Sequence, residues 1–549
     1  MSHVPGLPGQ PPHGEGRADP GVFGAPFEPR PGVYGEQYAA PYGPPAPHPP
    51  HGHGHPQPPG GGRKARRRTG AVVAAVLAGV LVIGAGAWYA TGDGGSGDSK
   101  PPVAQGSASA APEQTDDTPP GRTRTPAPTP ADLNAARKDG ESKVLWVQAN
   151  TVDLPGRGGS QFGPWFAGDI VAKAMHRTVS GYSAADGTPK WSVDLRARVC
   201  SAPTLPSTDG KIVVALESGP PDSAQCDRLL MIDLRTGTEG WKATFERVGV
   251  WDGLSDIAMA VNGDVVTVGR TSRTDAYRIS DGKHLWDEVP GNCQPYGFAG
   301  GAVPLAATSC QTAADDHAIQ HVRRIDPATG KEVWSYPVKK GFKVDQFYST
   351  DPPVISLRQG KERWGIVILN ADGTYRSQLV GNDGENYAPR CGKDLRAQNP
   401  NLDNCLGVAA DTDTLYLATE PVSAGRKTLP TNAVVAFDLA TGRSRWRTDA
   451  PAEQNLMPLR VEDGRVLMYL DAMRHYGRNK GGGIYALPPT GGALQPVLRH
   501  PESATGVEAS FSTAHIAYSG GRAVLTQPYI SGGDDQQEKD IVSMLAFGD

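Results

Sequence analysis

The feature that most constrains the fold of this chain is a short segment that recurs along it. The best copy spans residues 436–446, and its key positions are Ala436, Asp438, Gly442 and Trp446. An apolar strand leads into a turn in which Asp bonds nearby backbone groups and Gly tolerates positive φ, and a second strand carries the Trp. One such segment means little, so the prediction rests on its repetition.

Further copies occur at a regular spacing. Four more tryptophans each stand four residues after a glycine: Trp191 after Gly187, Trp241 after Gly237, Trp286 after Gly282 and Trp334 after Gly330. The copies are spaced by roughly 43 to 50 residues, with one longer gap. A period of about 40 to 50 residues with strand-like sequence predicts a β-propeller with one blade per repeat.

The pattern Ala-x-Asp-x-x-Thr-Gly-x-x-x-Trp of residues 436–446 resembles the tryptophan-docking repeat of PQQ-like β-propellers. That superfamily includes quinoprotein alcohol dehydrogenases and the non-enzymatic outer-membrane assembly lipoprotein BamB. The resemblance covers roughly residues 140 to 549. It implies that the tryptophans are structural and pack between neighbouring blades.

The two ends of this region are predicted to share a blade. Residues 544–547 resemble the strand before a docking turn, and residues 142–146, ending at Trp146, resemble the strand after one. Pairing them would remove an open sheet edge. We therefore predict eight blades, with seven as the alternative if the weak copy near Gly491 is not a blade.

The first 139 residues have a different composition. Residues 1–69 are rich in Pro, Gly and His and are predicted to be a disordered cytoplasmic tail. Residues 70–90 are uncharged and long enough for a transmembrane helix. Residues 91–139 are predicted to be a flexible linker outside the membrane. A basic cluster precedes the apolar run, comprising Arg63, Lys64, Arg66, Arg67 and Arg68.

The basic cluster sets the predicted orientation. By the positive-inside rule, the tail is cytoplasmic and the propeller lies outside a plasma membrane to which a single span attaches it. The alternative for the apolar run is a cleaved signal peptide. A basic cluster also suits nucleic acid, but its place beside the apolar run explains it, so no nucleic-acid partner is predicted.

All six cysteines follow the apolar run, which predicts disulfides in an oxidising compartment. Six cysteines allow fifteen pairings. We favour neighbours because each pair stays within one blade or its loop: Cys200 with Cys226, Cys293 with Cys310, and Cys391 with Cys405. The last pair lies in the longest gap between repeats. We expect its loop to project from the ring and to contact a partner.

The function predicted from the sequence is a non-enzymatic binding or scaffold module for an envelope protein or a cell-wall glycan. The resemblance offers a quinone-dependent dehydrogenase as the alternative, but those enzymes commonly carry a disulfide between adjacent cysteines, and this chain has no Cys-Cys pair. No catalytic residue or metal site is assigned, and no cofactor is predicted, with PQQ the cofactor of the alternative. A ligand sensor is a further alternative.

Overall fold

The computed structural model describes residues 127–549, except 157, 221–222, 248–251, 253–255, 271–272, 288–292, 311–318, 362, 383, 393–399, 426–427 and 476. Within this part, eight antiparallel sheets of four or five strands follow one another along the chain. The first strands of several neighbouring sheets contact one another, which places the first strands nearest the axis of a closed ring. The prediction of an eight-bladed all-β propeller is confirmed.

Blades are numbered here in chain order, starting from residue 159. Blade 1 contains strands Gly159–Ala167, Ile170–Met175, Thr178–Ser183 and Pro189–Asp194. Blade 2 contains Val199–Ser201, Lys211–Ser218, Gln225–Asp233 and Thr238–Thr244. Blade 3 contains Ala258–Asn262, Val265–Gly269, Thr274–Arg278 and His284–Trp286. Blade 4 contains Cys293–Ala299, Leu305–Cys310, Ile319–Ile325 and Glu332–Pro337.

The second half of the ring repeats this arrangement. Blade 5 contains Lys343–Thr350, Pro353–Gln359, Arg363–Leu369 and Tyr375–Gln378. Blade 6 contains Val408–Ala410, Thr414–Ala418, Ala433–Asp438 and Ser444–Asp449. Blade 7 contains Leu456–Glu462, Arg465–Leu470, Gly483–Leu487 and Gln495–Arg499. Blade 8 contains His515–Ser519, Arg522–Thr526, Val542–Gly548 and Lys143–Ala149.

Shorter elements decorate the ring. Two-stranded sheets pair Arg390–Cys391 with Cys405–Leu406 and Met473–His475 with Arg478–Lys480, and Tyr529–Ile530 adds to the edge of blade 1. The described helices are Pro130–Asn134, Thr505–Glu508 and Asp535–Asp540, with 3-10 turns Glu502–Ala504 and Ala509–Phe511.

Blade 8 closes the ring with both ends of the propeller region. Strand Lys143–Ala149 pairs antiparallel with Val542–Gly548, and Trp146 lies opposite Ala546 in the register. The predicted split blade is therefore present, because the N-terminal strand covers the edge that the C-terminal strand would leave open.

The apolar core lies between the blades. Eight buried clusters in the described part each join two consecutive blades, including the junction of blade 8 with blade 1. Helix Pro130–Asn134 joins this core, since Leu133 is buried in the cluster between blades 7 and 8. Asn134 exchanges two hydrogen bonds of 2.9 Å with the backbone of Val144. The propeller unit thus includes this helix, which belongs to the segment 91–139 assigned to the linker.

One part of the predicted fold needs correction. The sequence predicted a transmembrane helix at residues 70–90, which lie outside the described residues. Among the residues that the structure does describe, no helix has the length and apolar character needed to cross a membrane. The fold of the described residues is therefore an all-β eight-bladed propeller, and the membrane helix that the sequence predicted beside it is not found among them.

Candidate functional site

The repeated turns hold the ring together as a series of tryptophan–glycine contacts. A Cβ built on Gly282 of blade 3 would lie 2.6 Å from the indole of Trp241 of blade 2, so only glycine lets the ring approach. The indole N–H of Trp241 donates to the carbonyl of Ile279 at 2.7 Å. The same contact joins five further blade pairs: Trp146 with Gly187, Trp191 with Gly237, Trp286 with Gly330, Trp334 with Gly373, and Trp446 with Gly491.

The best-matching repeat departs from this rule. Blade 5 has no tryptophan at the position that would face Gly442 of blade 6. The backbone carbonyl of Gln378 occupies that position instead. Leu379 is buried beside it, and Val380 N–H donates to the Gly442 carbonyl at 2.8 Å. The turn of Gly442 keeps its own bonds, since hydrogen bonds from Arg445 and Thr441 lower the pKa of Asp438 to about 2. These residues are structural.

The centre of the ring contains a segment from the long gap between blades 5 and 6. Arg390–Cys391 and Cys405–Leu406 form its two-stranded base, which the Cys391–Cys405 disulfide crosslinks. We call residues 400–406 the central segment. Asn401 and Leu402 in it are 1% and 8% exposed. A loop that projected into solvent would not bury these side chains, so the expected projection is wrong for residues 400–406. Residues 393–399 of the same loop lie outside the described residues, and its role as a partner contact stays a prediction.

Asn401 fixes the central segment to blades 2 and 3. Its Oδ1 accepts a hydrogen bond of 2.8 Å from the backbone N–H of Met259. Its Nδ2 donates to the carbonyl of Ala202 at 2.9 Å and to the hydroxyl of Thr204 at 3.3 Å. Blade 2 lies across the ring from blade 6, so the segment spans the central opening.

Asp403 and Leu402 extend these contacts to blades 4 and 5. The hydroxyl of Thr204 and the backbone N–H of Gly300 each donate to Asp403 at 2.7 Å. Burial raises the pKa of Asp403, and these two bonds oppose that rise. The Leu402 carbonyl accepts from Phe347 N–H at 2.7 Å, and its side chain packs where a Cβ on Gly297 would stand. Four consecutive blades, from blade 2 to blade 5, thus hold the segment.

Beside the base of the segment, polar side chains collect between blades 7 and 8. Arg390 donates to the carbonyl of Ser512, and burial lowers its pKa. Burial, with Arg390 as a second cause, lowers the pKa of His515 to about 4. Asp471 has a pKa raised by burial and accepts a hydrogen bond of 2.9 Å from Asn455 Nδ2. Burial thus disfavours the charged forms of all three ionisable groups.

A buried His–Glu–Tyr group lies nearby. Glu508 accepts hydrogen bonds from Tyr469 Oη at 2.9 Å and from Gly482 N–H at 3.3 Å, and lies 2.6 Å from His500 Nδ1. The His500 ring stacks on Phe547 at 3.6 Å between centroids. His500 and Glu508 side chains are both 0% exposed, so no substrate reaches them. This group docks the short helices of residues 502–511 onto blades 7 and 8.

The three disulfides join neighbouring cysteines: Cys200 with Cys226, Cys293 with Cys310, and Cys391 with Cys405. Among the described residues, one group has a metal-like ligand arrangement, formed by Cys293, Cys310 and His321. Two of its three ligand atoms are joined in a disulfide, and a metal needs them as free thiolates. The sequence carried no signal for His321, because only the pairing of adjacent strands brings it to the cysteines.

The centre of the ring is a poor fit for a quinone with a calcium ion. Both carboxylate oxygens of Asp403 and the amide oxygen of Asn401 already accept hydrogen bonds from the protein. A ligand pocket for a small molecule or cofactor needs a cavity of about 300 Å³ or more, and the central segment crosses the opening in which such a cavity would lie. No chemical step through such a group is derived for this chain.

Comparison with known proteins agrees with the architecture. A family model described as outer membrane protein assembly factor BamB matches residues 134–291, 205–356 and 318–533. Among solved structures, BamB from Moraxella catarrhalis is 14% identical, with 74% of this chain and 97% of that chain covered and a TM-score of 0.40.

Two dehydrogenase structures are similar to this chain to the same extent as that of BamB. A europium-containing methanol dehydrogenase is 12% identical, with 74% and 93% of the two chains covered and a TM-score of 0.40. The quinohemoprotein alcohol dehydrogenase of Comamonas testosteroni is 13% identical, with 77% and 78% covered and a TM-score of 0.41. No curated protein matches the chain.

Proposed function

Since this chain belongs to the family of the outer membrane protein assembly factor BamB, we propose that its propeller is a non-enzymatic module that binds another protein of the cell envelope. The observation that carries the proposal is the central segment, which crosses the ring and is bound on its far side. Asn401 and Asp403 are held by hydrogen bonds to three opposite blades. A ring closed in this way offers a partner its outer surface and its loops, which are the usual recognition elements of a rigid scaffold.

The cysteines support an extracytoplasmic location. All three pairs are bonded, and the described part contains no free cysteine. Structural disulfides persist in oxidising compartments and are rare in the cytosol. A partner is therefore sought among proteins outside the cytoplasm, with a cell-wall glycan as the second ligand class.

Site-specific photo-crosslinking in cells tests the proposal with the full chain. Three exposed apolar positions sample different sides of the ring: Leu205 at 53% exposure after the first strand of blade 2, Val333 at 58% on the last strand of blade 4, and Val422 at 70% in blade 6. Replacing each by p-benzoylphenylalanine leaves the interblade core intact.

If the propeller is a binding module, one of these positions should give a discrete protein adduct. A position on a side of the ring that does not contact the partner should give none, and it serves as the matched control. The proposal fails if no position gives a discrete protein adduct while the variants retain the thermal stability of the wild type. Adducts that contain glycan in place of protein would move the proposal to the second ligand class.

A further inference from the structure

The Cys293–Cys310 disulfide has an imidazole against one of its sulfurs. Cys293 and Cys310 face each other on the first two strands of blade 4. The third strand carries His321, whose Nδ1 lies 3.1 Å from Sγ of Cys310. A ring nitrogen at this distance can donate a hydrogen bond to the sulfur, so the imidazole can influence the chemistry of the disulfide.

The two cysteine residues of this bond are not equally exposed. Cys310 is 5% exposed, whereas Cys293 is half-buried. An incoming thiolate therefore reaches Sγ of Cys293 more readily, which makes Sγ of Cys310 the leaving group. The leaving sulfur is the one beside the imidazole. Exchange is faster when the leaving thiol has a lower pKa, and a hydrogen bond from imidazole lowers the pKa of a thiol.

We propose that Cys293–Cys310 is a thiol-exchange site of this propeller and that His321 promotes the departure of Cys310. The attacking monothiolate forms a bond to Sγ of Cys293 as the Sγ293–Sγ310 bond breaks. The electron pair of that bond stays on Sγ of Cys310, which accepts a hydrogen bond from Nδ1–H of His321 and then takes a proton from water. A second thiol attacks the mixed disulfide, so two thiols are oxidised to one disulfide and the protein bond is reduced to two thiols.

The protonation of His321 suits this role. Burial, with Arg323 as the next cause, lowers the pKa of its imidazole, and Glu332 opposes this. A neutral imidazole at neutral pH carries one N–H, and the Nδ1–H tautomer donates to the sulfur without drawing a positive charge into blade 4. His321 is thus a positioning and stabilising group, and the chemistry is that of the sulfurs.

The chain contains an internal control for the proposal. Cys391 and Cys405 also face each other on two antiparallel strands, with the same Cα–Cα distance of 4.0 Å as the first pair. The group that lies near Sγ of Cys405 is the amide oxygen of Gln346 at 3.6 Å, not an imidazole. The exchange rates of the two disulfides can therefore be compared. If the difference between them disappears when the imidazole is removed, it is due to His321.

The experiment exposes the full folded chain to glutathione, quenches with an alkylating agent at intervals and measures each cysteine pair by peptide mass spectrometry. We expect Cys293–Cys310 to open about tenfold faster than Cys391–Cys405, with the first mixed disulfide on Cys293. His321→Phe, which keeps a ring without a nitrogen, should remove most of that advantage. His284→Phe, in the neighbouring blade, should leave it unchanged.

Two results would overturn the proposal. The first is an opening rate of Cys293–Cys310 that His321→Phe leaves unchanged in a folded protein. The second concerns the wild type alone, so it remains decisive if the variant fails to fold. It is a Cys293–Cys310 disulfide that opens no faster than Cys391–Cys405, or one whose first mixed disulfide forms on Cys310.

Discussion

The tryptophan–glycine contact between blades makes a quantitative prediction that a matched pair of glycines can test. Gly282 and Gly263 both belong to blade 3 and both have left-handed backbones, with φ of +75° and +61°. A Cβ on Gly282 meets the Trp241 ring at 2.6 Å, whereas a Cβ on Gly263 meets nothing within 4 Å. The two positions thus share the backbone penalty and differ in the interblade contact.

The expected losses follow from these two terms. Gly263→Ala incurs only the left-handed penalty, about 1–2 kcal/mol. Gly282→Ala adds the cost of overpacking the indole, about 1–3 kcal/mol, so its total loss in the free energy of unfolding is about 2–5 kcal/mol. In a Trp241→Ala background the ring is gone and only the Cβ of residue 241 remains, 2.9 Å from the added methyl group, so Gly282→Ala should cost less than it does beside the ring.

Urea denaturation followed by far-UV circular dichroism measures the free energy of unfolding of the wild type, of each single variant and of the double variants. The coupling between Gly282→Ala and Trp241→Ala is the readout, since neighbours that touch fail to add. Equal losses for Gly282→Ala and Gly263→Ala in the wild-type background, with additive double variants, would refute the docking account.

Three further predictions concern buried polar groups. Arg270→Met breaks a fully buried ion-pair network and should cost about 3–5 kcal/mol in urea denaturation, whereas Arg278→Met at an exposed pair should cost less than about 1 kcal/mol; equal losses would contradict this. The folded pKa of His515 is lowered to about 4, so stability should fall as pH drops from about 6.5 to 4, and His515→Gln should flatten that slope; an unchanged slope would exclude His515. Asn401→Ala should cost about 2–4 kcal/mol by orphaning its backbone partners, and the exposed Asn479→Ala should be near neutral; a neutral Asn401→Ala would mean that the central segment is not anchored there.

The repeats could be predicted from the sequence because their signal is local. A turn and its tryptophan lie within eleven residues, so the period, the blade count and the shared eighth blade all follow from the printed chain. The presence of a backbone carbonyl in place of a tryptophan ring beside Gly442 could not be predicted in the same way. Its neighbour there is the backbone carbonyl of Gln378, and any residue type supplies a carbonyl.

The central segment was mistaken for a surface loop because its composition is polar. Asn401 finds its hydrogen-bond partners 142 to 199 residues away, and Asp403 finds one 103 residues away. Polar residues are usually exposed, and only the closed ring brings enough donors together to satisfy them inside. No pattern within the segment records those distant partners.

The most direct test of the closed centre is a titration of the full chain with pyrroloquinoline quinone and calcium, followed by absorbance and thermal stability. A propeller whose centre is crossed by its own central segment should show no saturable rise in melting temperature and no bound-quinone spectrum. A saturable shift with a one-to-one quinone spectrum would contradict the account, because a calcium ion bound by Asn401 and Asp403 would compete with the hydrogen bonds that their oxygens already accept.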